Sequence, residues 1–492
     1  MSTVPDSTAP VNTVLIIGAG PAGLAAARAA RERGASVILL DSSDQLGGQF
    51  WRHLPDARPS GAERILHHGW NTFRSLSEAL ESDDGCSIIR SAQVWAIETA
   101  PGRAGTVHVV VGESDGVGRE RLAFSPHTIV LATGAHDRTL PFPGWDLPGV
   151  FTGGAAQALA KGERLAVGHR VVVAGAGPFL LPVAASLAGT GSRVLGVFEA
   201  SRAPALIRGW LSKPWQLIPA AGKGAELAGY LAGQLRYRIP YRLGHAVVAA
   251  HGTDRVEAVT VASVTADWAP IKGTERTIAA DAVCVSHGFT PRLELAIAAG
   301  CALTVDRFVQ VNDGQGTSVP GVFAAGEITG IGGVDLAMAE GAIAGHLASG
   351  GTAADQQLRD AVRRRHTFRG FARRIEAAHG IRPSWPAVLT ADTIVCRCED
   401  VSFGRLCEIA ESTQSRSLRA LKLSTRAGLG ICQGRICGRS VEELLAARVP
   451  GGSLDDDVTT DRRPIAAPIR LGELAADQHS LEFTPDSMKG KK

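Results

Sequence analysis

Four cysteines near the end of the sequence have the residue type and spacing of a metal-binding site. Cys396 and Cys398 are separated by one residue, and Cys432 and Cys437 follow in the pattern C-x-C-x33-C-x4-C. Cysteines at i and i+2 rarely reach disulfide geometry without strain, whereas four thiolates on two short turns can hold a zinc ion or an iron–sulfur cluster. Zinc ribbons more often show C-x2-C pairs, but on spacing alone both metals stay open.

The other four cysteines lack such a pattern. Cys407 lies inside an apparent helix at core spacing, so we interpret it as a packing residue. Cys86, Cys284 and Cys301 each stand alone and are expected to be ordinary buried cysteines. The segment "GGQFWRHLPDARP" contains no cysteine, which argues against a disulfide reductase.

A glycine-rich turn near the N-terminus predicts a dinucleotide site. Gly18, Gly20 and Gly23 form G-x-G-x-x-G between an apolar strand, Val14–Ile17, and an alanine-rich helix. Glycines at these places allow a tight turn, close approach of a pyrophosphate, and close packing of helix on strand. Asp41 ends the following strand, where a carboxylate can accept hydrogen bonds from a ribose. The helix N-terminus offers free N–H groups to the phosphates.

Length and composition set the frame for these motifs. The chain has 492 residues, enough for about three domains. It is 45% hydrophobic and 20% charged, with 51 Lys+Arg against 48 Asp+Glu, so no nucleic-acid or anionic-membrane partner is indicated. The first twelve residues have no cationic region, and the apolar stretch after them contains Gly, Pro and Arg28. We therefore predict no secretory signal, no transmembrane segment and a cytoplasmic location, with attachment to the inner membrane as an alternative.

Four further segments in the same order resemble the two-dinucleotide-binding-domain flavoproteins of the glutathione-reductase-like class. They are "LGGQF" (Leu46–Phe50), "ATG" (Ala132–Gly134), a second βαβ unit, and "GVFAAGEITGIGG". In the last segment Glu327 stands where most relatives have Asp. The resemblance implies an α/β fold with two Rossmann-like domains and FAD in the first of them. The FAD-binding residues it implies are Gly18, Gly20, Pro21, Ala22, Gly23, Asp41, Ser42, Gly48, Gln49, Thr133, Gly134, Gly326 and Glu327.

The second βαβ unit departs from the dinucleotide pattern. Gly175 and Gly177 are present, but the third glycine position holds Leu180, and Pro182 fits only in the first turn of a helix. Glu199 ends the next strand, where a ribose-binding acid is usual. NAD(P) binding is therefore doubtful, and we favour a structural domain that no longer binds nicotinamide. Such a chain must exchange electrons with another partner.

The cysteine segment resembles the 2Fe–2S domain of the bacterioferritin-associated ferredoxin type. "STRAGLGICQGRICG" fits the second half of that module. The resemblance implies a small helical C-terminal domain in which Cys396, Cys398, Cys432 and Cys437 hold a 2Fe–2S cluster, with structural zinc or no metal as alternatives. A cluster beside a flavin converts two-electron chemistry to one-electron transfer.

Together the three modules resemble the large FAD-containing subunit of multi-subunit, dye-linked amino-acid dehydrogenases, a family that includes octopine and nopaline oxidases, D-hydroxyproline dehydrogenase and hydrogen cyanide synthase. The resemblance implies an electron-transferring role beside a substrate-oxidising FAD subunit similar to D-amino-acid or sarcosine oxidases. It also allows FMN between the subunits and a small 2Fe–2S subunit. No catalytic residue is expected in this chain, and His53, His136 and His287 are interpreted as ordinary histidines. The alternatives are a self-contained NAD(P)H-dependent reductase and a non-enzymatic scaffold with structural FAD.

The predicted domain organisation follows from these segments. We expect the first part of the FAD domain at 13–150, an NAD(P)-like domain at 151–290 with a helical insert near 204–240, the second FAD part at 291–350, a linker at 351–390, the 2Fe–2S domain at 391–448 and an extended tail at 449–492. The insert is either a helical cover, which we prefer, or a docking surface. The arginine-rich run Arg363–Arg374 is interpreted as a solvated helix, with docking to an acidic partner as the alternative. The tail is expected to drape over this or another subunit.

Overall fold

The computed structural model describes residues 12–55, 57–58, 63–100, 102–212, 214–449, 452, 454, 462–463, 465–475 and 479–480. The N-terminal segment and much of the tail discussed above lie outside these residues. Within the described ranges, no helix combines the length and apolar character needed to cross a membrane.

The first region is built on a five-stranded parallel sheet in the order β18-β7-β1-β2-β3, covered by helices and joined to a small antiparallel sheet. The strands of this sheet are buried and largely aliphatic, which is typical of a parallel sheet with both faces covered by other elements. Its elements are β1 (Thr13–Ile17), α1 (Pro21–Glu32), β2 (Ser36–Leu40), α2 (Glu63–Leu66), α3 (Trp70–Glu81), β3 (Cys86–Ile89), β4 (Ala92–Ala100), β5 (Arg103–Val111), β6 (Glu120–Phe124), β7 (Thr128–Leu131) and β8 (Ala135–Asp137).

The second region repeats this plan with the parallel strand order β12-β11-β10-β16-β9 and a three-stranded antiparallel sheet. Its elements are β9 (Val150–Thr152), α4 (Gly153–Ala158), β10 (Arg170–Gly175), α5 (Leu180–Gly189), β11 (Arg193–Glu199), α6 (Ala203–Leu211), α7 (Ala221–Arg236), β12 (Tyr241–Leu243), β13 (His245–His251), β14 (Ala258–Ser263), β15 (Arg276–Ala279), β16 (Ala282–Ser286) and β17 (Phe289–Pro291). The fold is thus the mixed α/β fold with two Rossmann-like units that the sequence predicted.

The chain then returns to the first region and ends in a small helical domain. The remaining elements are α8 (Glu294–Ala298), β18 (Val322–Ala324), α9 (Gly333–Ala348), α10 (Arg359–His379), β19 (Ile394–Cys396), β20 (Val401–Ser402), α11 (Phe403–Thr413), α12 (Leu418–Thr425), α13 (Gly438–Ala446), α14 (Leu471–Ala475) and β21 (His479–Ser480). The core of the small domain is continuous with the second region, because Leu140, Val264 and Trp268 pack in one cluster with Leu421 and Leu444.

Residues 351–390, which we expected to be a linker, are largely the 21-residue helix α10 packed between α9 and α6. The arginine run is helical, as predicted, but only part of it is solvated: Arg363, Arg364 and Arg373 are exposed. Arg365 and Arg374 are buried, and Arg374 donates to the Trp210 carbonyl oxygen at 3.2 Å. These side chains fasten α10 to other parts of the chain.

Helices α6 and α7 lie where the helical insert was expected. Leu235 of α7 and Trp215, in the 3-10 segment Pro214–Ala220 between the two helices, are exposed. The described parts of the tail lie against the first region. Glu473 pairs with Arg119 at 2.6 Å, and β21 pairs in parallel with β6. The described tail therefore drapes over this chain itself.

Candidate functional site

In the first glycine turn, two of the three glycines lie so close to backbone atoms that a side chain would not fit there. The third has space for one. A Cβ atom on Gly18 would lie 2.3 Å from the Ala132 carbonyl oxygen, and one on Gly23 would lie 1.7 Å from the Gly18 carbonyl oxygen. A Cβ on Gly20 would meet nothing closer than the Gly48 Cα at 3.9 Å. The turn therefore leaves open the one position at which a pyrophosphate approaches the backbone in this motif.

Asp41 lies at the carboxyl end of β2, where it supports the same turn. Its carboxylate accepts hydrogen bonds from the Ala19 N–H at 2.6 Å and the Ser43 N–H at 2.8 Å. Burial raises the pKa of Asp41 above its ordinary value, although these two N–H groups oppose the shift. The carboxylate is thus fixed beside the turn, in the place from which a ribose is usually bound.

Two other turns named by the sequence meet this first turn. The Gly47 N–H donates to the Ala19 carbonyl oxygen at 2.9 Å, which places "LGGQF" over the glycine turn. The "ATG" turn is tied to the start of the return segment. The Thr133 hydroxyl donates to the Arg292 carbonyl oxygen at 2.9 Å, and the Arg292 N–H donates to the Gly134 carbonyl oxygen at 3.0 Å.

The late acidic segment lies at the N-terminus of α9. The Glu327 carboxylate accepts from the Gly333 N–H at 2.8 Å and the Gly332 N–H at 3.3 Å. Burial raises the pKa of Glu327. Gly326 is held by Glu340, a buried residue that sequence reasoning missed, which accepts from the Gly326 N–H at 3.1 Å.

The expected FAD residues are thus distributed over five parts of the first region. They are the glycine turn with the first turn of α1 (Gly18, Gly20, Pro21, Ala22 and Gly23), the end of β2 (Asp41 and Ser42), the loop that docks on it (Gly48 and Gln49), and the two later turns (Thr133, Gly134, Gly326 and Glu327). The space at Gly20 and the Asp41 carboxylate beside the turn fit FAD. The residues named above remain our proposal for its binding site.

The second glycine turn has a different shape. Helix α1 begins at Pro21, directly after Gly20, whereas α5 begins at Leu180, three residues after Gly177. Leu180 is fully buried in the core below the turn, and Pro182 falls in the first helical turn, where proline is tolerated. The delayed helix start moves its free N–H groups away from the glycine turn.

The crevice of this second turn is filled by the chain itself. Glu199 is fully buried and accepts from the Gly177 N–H at 3.0 Å and the Tyr241 hydroxyl at 3.0 Å. His379, the last residue of α10, places Nδ1 3.3 Å from the same carboxylate. Burial disfavours its ionised form, but hydrogen bonds from His379, Ser201 and Gly177 outweigh this and hold the pKa of Glu199 below its ordinary value.

The second ring nitrogen of His379 also has a hydrogen-bond partner. The Trp210 indole N–H donates to His379 Nε2 at 3.3 Å, so His379 presents its Nδ1–H to Glu199. The His379 Cβ lies 4.0 Å from the position of a Cβ on Gly177. An imidazole therefore stands beside the glycine turn and on the acid, at the end of the strand where a ribose-binding acid is usual. Sequence reasoning missed His379, because no local signal connects it to Glu199.

The four cysteines come together as two pairs. The thiol of Cys437 hydrogen-bonds to Cys396, and the thiols of Cys398 and Cys432 likewise interact. Cys396 and Cys437 are buried, whereas Cys398 is exposed and Cys432 half-buried. Across the described ranges, no three His, Cys, Asp or Glu side chains converge as a single metal ion would require. Two adjacent thiol pairs match a two-iron cluster, since each of its irons takes two thiolates.

The backbone around these thiols is also suited to a cluster. The Cys437 thiol lowers the pKa of Cys396, burial opposes this shift, and the N–H groups of Gly428, Glu399 and Cys398 also lower the pKa. N–H groups directed at sulfur are the usual support of a cluster. Cys407 lies outside this group. It is half-buried, and its sulfur accepts from Arg448 at 2.9 Å.

The three histidines have separate surroundings. His53 Nδ1 lies 2.7 Å from the Trp51 carbonyl oxygen, and His287 packs near Trp268. His136 Nε2 lies 3.0 Å from the carbonyl oxygen of Arg435, inside the second cysteine loop. His136 therefore joins the strand after the "ATG" turn to the cysteine loop, a contact that sequence reasoning did not foresee.

Comparison with known proteins shows to which family this chain belongs. The pyridine nucleotide-disulphide oxidoreductase family matches residues 12–341, and the BFD-like [2Fe-2S] binding domain matches residues 394–447. An opine oxidase subunit from Agrobacterium tumefaciens is 34% identical over 483 residues, which cover 95% of this chain and 92% of that one. The chain belongs to the pyridine nucleotide-disulphide oxidoreductase family, and within it to the group that contains this opine oxidase chain.

Other members of this group of oxidoreductases are similarly close. Hydrogen cyanide synthase subunit HcnB of Pseudomonas protegens is 31% identical, with coverage of 86% of this chain and 89% of that one. The crystal structure of L-proline dehydrogenase from P. horikoshii has a TM-score of 0.63 at 20% identity and covers 94% of this chain and 79% of that chain, which supports the fold. As the sequence predicted, this pyridine nucleotide-disulphide oxidoreductase is thus a flavin-dependent and 2Fe–2S oxidoreductase subunit.

Proposed function

We propose that this chain is the electron-transferring FAD/2Fe–2S subunit of a heteromeric dehydrogenase or oxidase that acts on an amino acid, such as an opine, an imino acid or a related secondary amine. The observation that carries the proposal is the contrast between the two glycine turns. The Asp41 carboxylate of the first turn accepts from two backbone N–H groups, whereas the Glu199 carboxylate of the second also accepts from the Tyr241 hydroxyl and lies 3.3 Å from His379 Nδ1. A chain arranged in this way receives electrons from another protein and not from NAD(P)H.

The named relatives support the heteromeric part of the proposal, since opine oxidase and hydrogen cyanide synthase each contribute a chain called a subunit. Bound FAD supplies two-electron chemistry, and a bound 2Fe–2S cluster supplies one-electron chemistry. In this proposal the chain's own residues bind and orient. Asp41 and Gly20 hold the dinucleotide, the four cysteines hold the cluster, and no residue of this chain oxidises the substrate. The partner is a flavin-dependent subunit that selects and oxidises the C–N bond. Further components of the complex are FMN between the subunits and a small 2Fe–2S subunit.

The test is an anaerobic titration of the purified, FAD- and iron-loaded chain. We expect dithionite to bleach the flavin and NADH or NADPH to leave it unchanged. Opines and imino acids should not reduce the isolated chain, whereas one of them should reduce the complex purified from the source cells. Rapid bleaching of the isolated chain by NADH or NADPH would contradict the proposal and favour a self-contained reductase.

A further inference from the structure

The second cysteine loop, residues 432–437, is fastened to the FAD-binding region by one shared carboxylate. Glu294, the first residue of α8, accepts from Arg435 Nε at 2.8 Å and from Arg463 Nη1 at 2.9 Å. Arg435 lies between Cys432 and Cys437, and Arg463 comes from the tail. We call Glu294, Arg435 and Arg463 the Glu294 clamp.

Both arginines of the clamp also bind backbone, so the loop is held at several points. Arg463 Nη2 donates to the Gln433 carbonyl oxygen at 2.6 Å, and Arg435 Nη2 donates to the Ala466 carbonyl oxygen at 2.7 Å. Gln433 has a φ of +52°, a left-handed conformation that a non-glycine side chain rarely adopts. A backbone held in this conformation needs outside support, and the clamp supplies it.

The clamp lies a short way from the turn that we assign to FAD. Arg292, two residues before Glu294, exchanges hydrogen bonds with Thr133 and Gly134 of the "ATG" turn. His136, two residues after Gly134, reaches the Arg435 carbonyl oxygen at 3.0 Å. The "ATG" turn and the cysteine loop are therefore connected from two sides.

The clamp is well shielded from solvent. The side chains of Glu294 and Arg463 are 11% and 9% exposed. Burial would raise the pKa of Glu294, but its own backbone N–H and the charges of Arg435 and Arg463 outweigh burial and lower it. Removing the charge of Glu294 would leave two arginines facing each other in a shielded place, and this is costly.

We propose that Glu294 is a positioning residue for electron transfer, because it fixes the cysteine loop, through Arg435 and Arg463, against the strand that follows the FAD-binding turn. The inference rests on the proposed relay between flavin and cluster and adds the residue that sets their relation. Glu294 touches no reacting atom; it acts through the loop that carries Cys432 and Cys437.

The experiment compares Glu294→Gln with Glu294→Asp and with the matched control Glu442→Gln in the full, FAD- and iron-loaded chain. Glu442 pairs with Arg307 at 2.6 Å, which also joins the C-terminal domain to the FAD-binding region, and both residues lie outside the loop 432–437. Three quantities are measured: the rate of iron release to a chelator, hydrogen exchange of residues 430–438, and the rate of flavin-to-cluster electron transfer after photoreduction of the flavin.

For Glu294→Gln we expect iron release about tenfold faster, faster exchange confined to the cysteine loop, and electron transfer at least tenfold slower. Glu294→Asp should recover part of each loss, and Glu442→Gln should match the unmodified chain. If Glu294→Gln does not fold, Arg463→Met removes one partner, leaves the Glu294–Arg435 pair and should shift all three quantities in the same direction by a smaller factor.

Unchanged iron release and unchanged electron transfer in Glu294→Gln would overturn the inference. Faster iron release with unchanged electron transfer would overturn it too, because it would reduce the clamp to a structural support. Iron release and hydrogen exchange require only this chain and its cluster. A failure of the proposed function, seen as bleaching by NADH, is therefore distinguishable from a failure of the clamp.

Discussion

The two glycine turns of this chain share a strand, two glycines and a following acid, but they differ in what surrounds the acid. In each, a carboxylate at the end of the second strand accepts an N–H from the turn, Asp41 from Ala19 and Glu199 from Gly177. Among the described residues, only the second carboxylate is also bound by an imidazole from a distant helix. In the proposed function, a dinucleotide site is lost while its strand, turn and acid remain, because a side chain of the same protein takes the place of the ligand.

The largest expected effect concerns the first turn. Gly20→Val places a side chain where we expect the pyrophosphate, and Gly20 has a φ of −74°, which a valine can adopt. We expect at least a hundredfold weaker FAD binding with the fold kept, measured as the ratio of flavin to protein absorbance after gel filtration. Gly177→Ala in the second turn is the control. It should keep full FAD content and lose about 1 kcal/mol of stability, because its φ is +108°. Full FAD content in Gly20→Val would place the cofactor elsewhere.

The next effect concerns the residue that replaces the third glycine. Leu180 is fully buried, so Leu180→Ala should lower the free energy of unfolding by about 3 kcal/mol, whereas Leu180→Met should cost about 1 kcal/mol. Both are measured by thermal or denaturant unfolding. Neither variant should be reduced by NADH, since His379 still fills the crevice. Bleaching of the Leu180→Ala flavin by NADH would show that Leu180 alone closes the site.

The smallest expected effect is a difference in pH dependence between the two acids. The pKa of Glu199 is lowered by folding, so its contribution to stability is present above its unfolded value and is lost as the pH falls. The pKa of Asp41 is raised, so its ionisation lowers stability as the pH rises above its unfolded value of 3.8. Each effect is at most about 1.4 kcal/mol per pH unit.

Thermal midpoints of the FAD-free protein between pH 3.5 and 6 separate these two acids. Glu199→Gln should lose less stability on acidification than the unmodified chain, and Asp41→Asn should lose less on alkalinisation. Glu78→Gln, an exposed acid, serves as the control. If the thermal midpoint changed equally with pH in all four proteins, folding would not shift the pKa of Glu199 or of Asp41.

The sequence predicted those parts of the molecule that depend on local patterns. The strand, glycine turn, helix and acid around Gly18 and Asp41 lie within one short segment, and so do the paired cysteines. A helix was predicted for Arg363–Arg374, but the contacts of α10 were missed, because Arg374 finds its partners at residues 209–212 and His379 finds Glu199 only in the folded chain. Glu294 and Arg435 were missed for the same reason, since a single acid and a single arginine 141 residues apart carry no pattern.

The closure of the second turn also depends on the order in which the chain is made. Glu199 precedes His379 by 180 residues, which a ribosome adds in about 10 to 40 s. During that interval the nascent second domain has its glycine turn and acid but not the imidazole that fills the crevice. A chain cut short before residue 359 would keep this unfinished state permanently. If the proposed function is right, such a fragment is the form in which a nucleotide would enter the second domain.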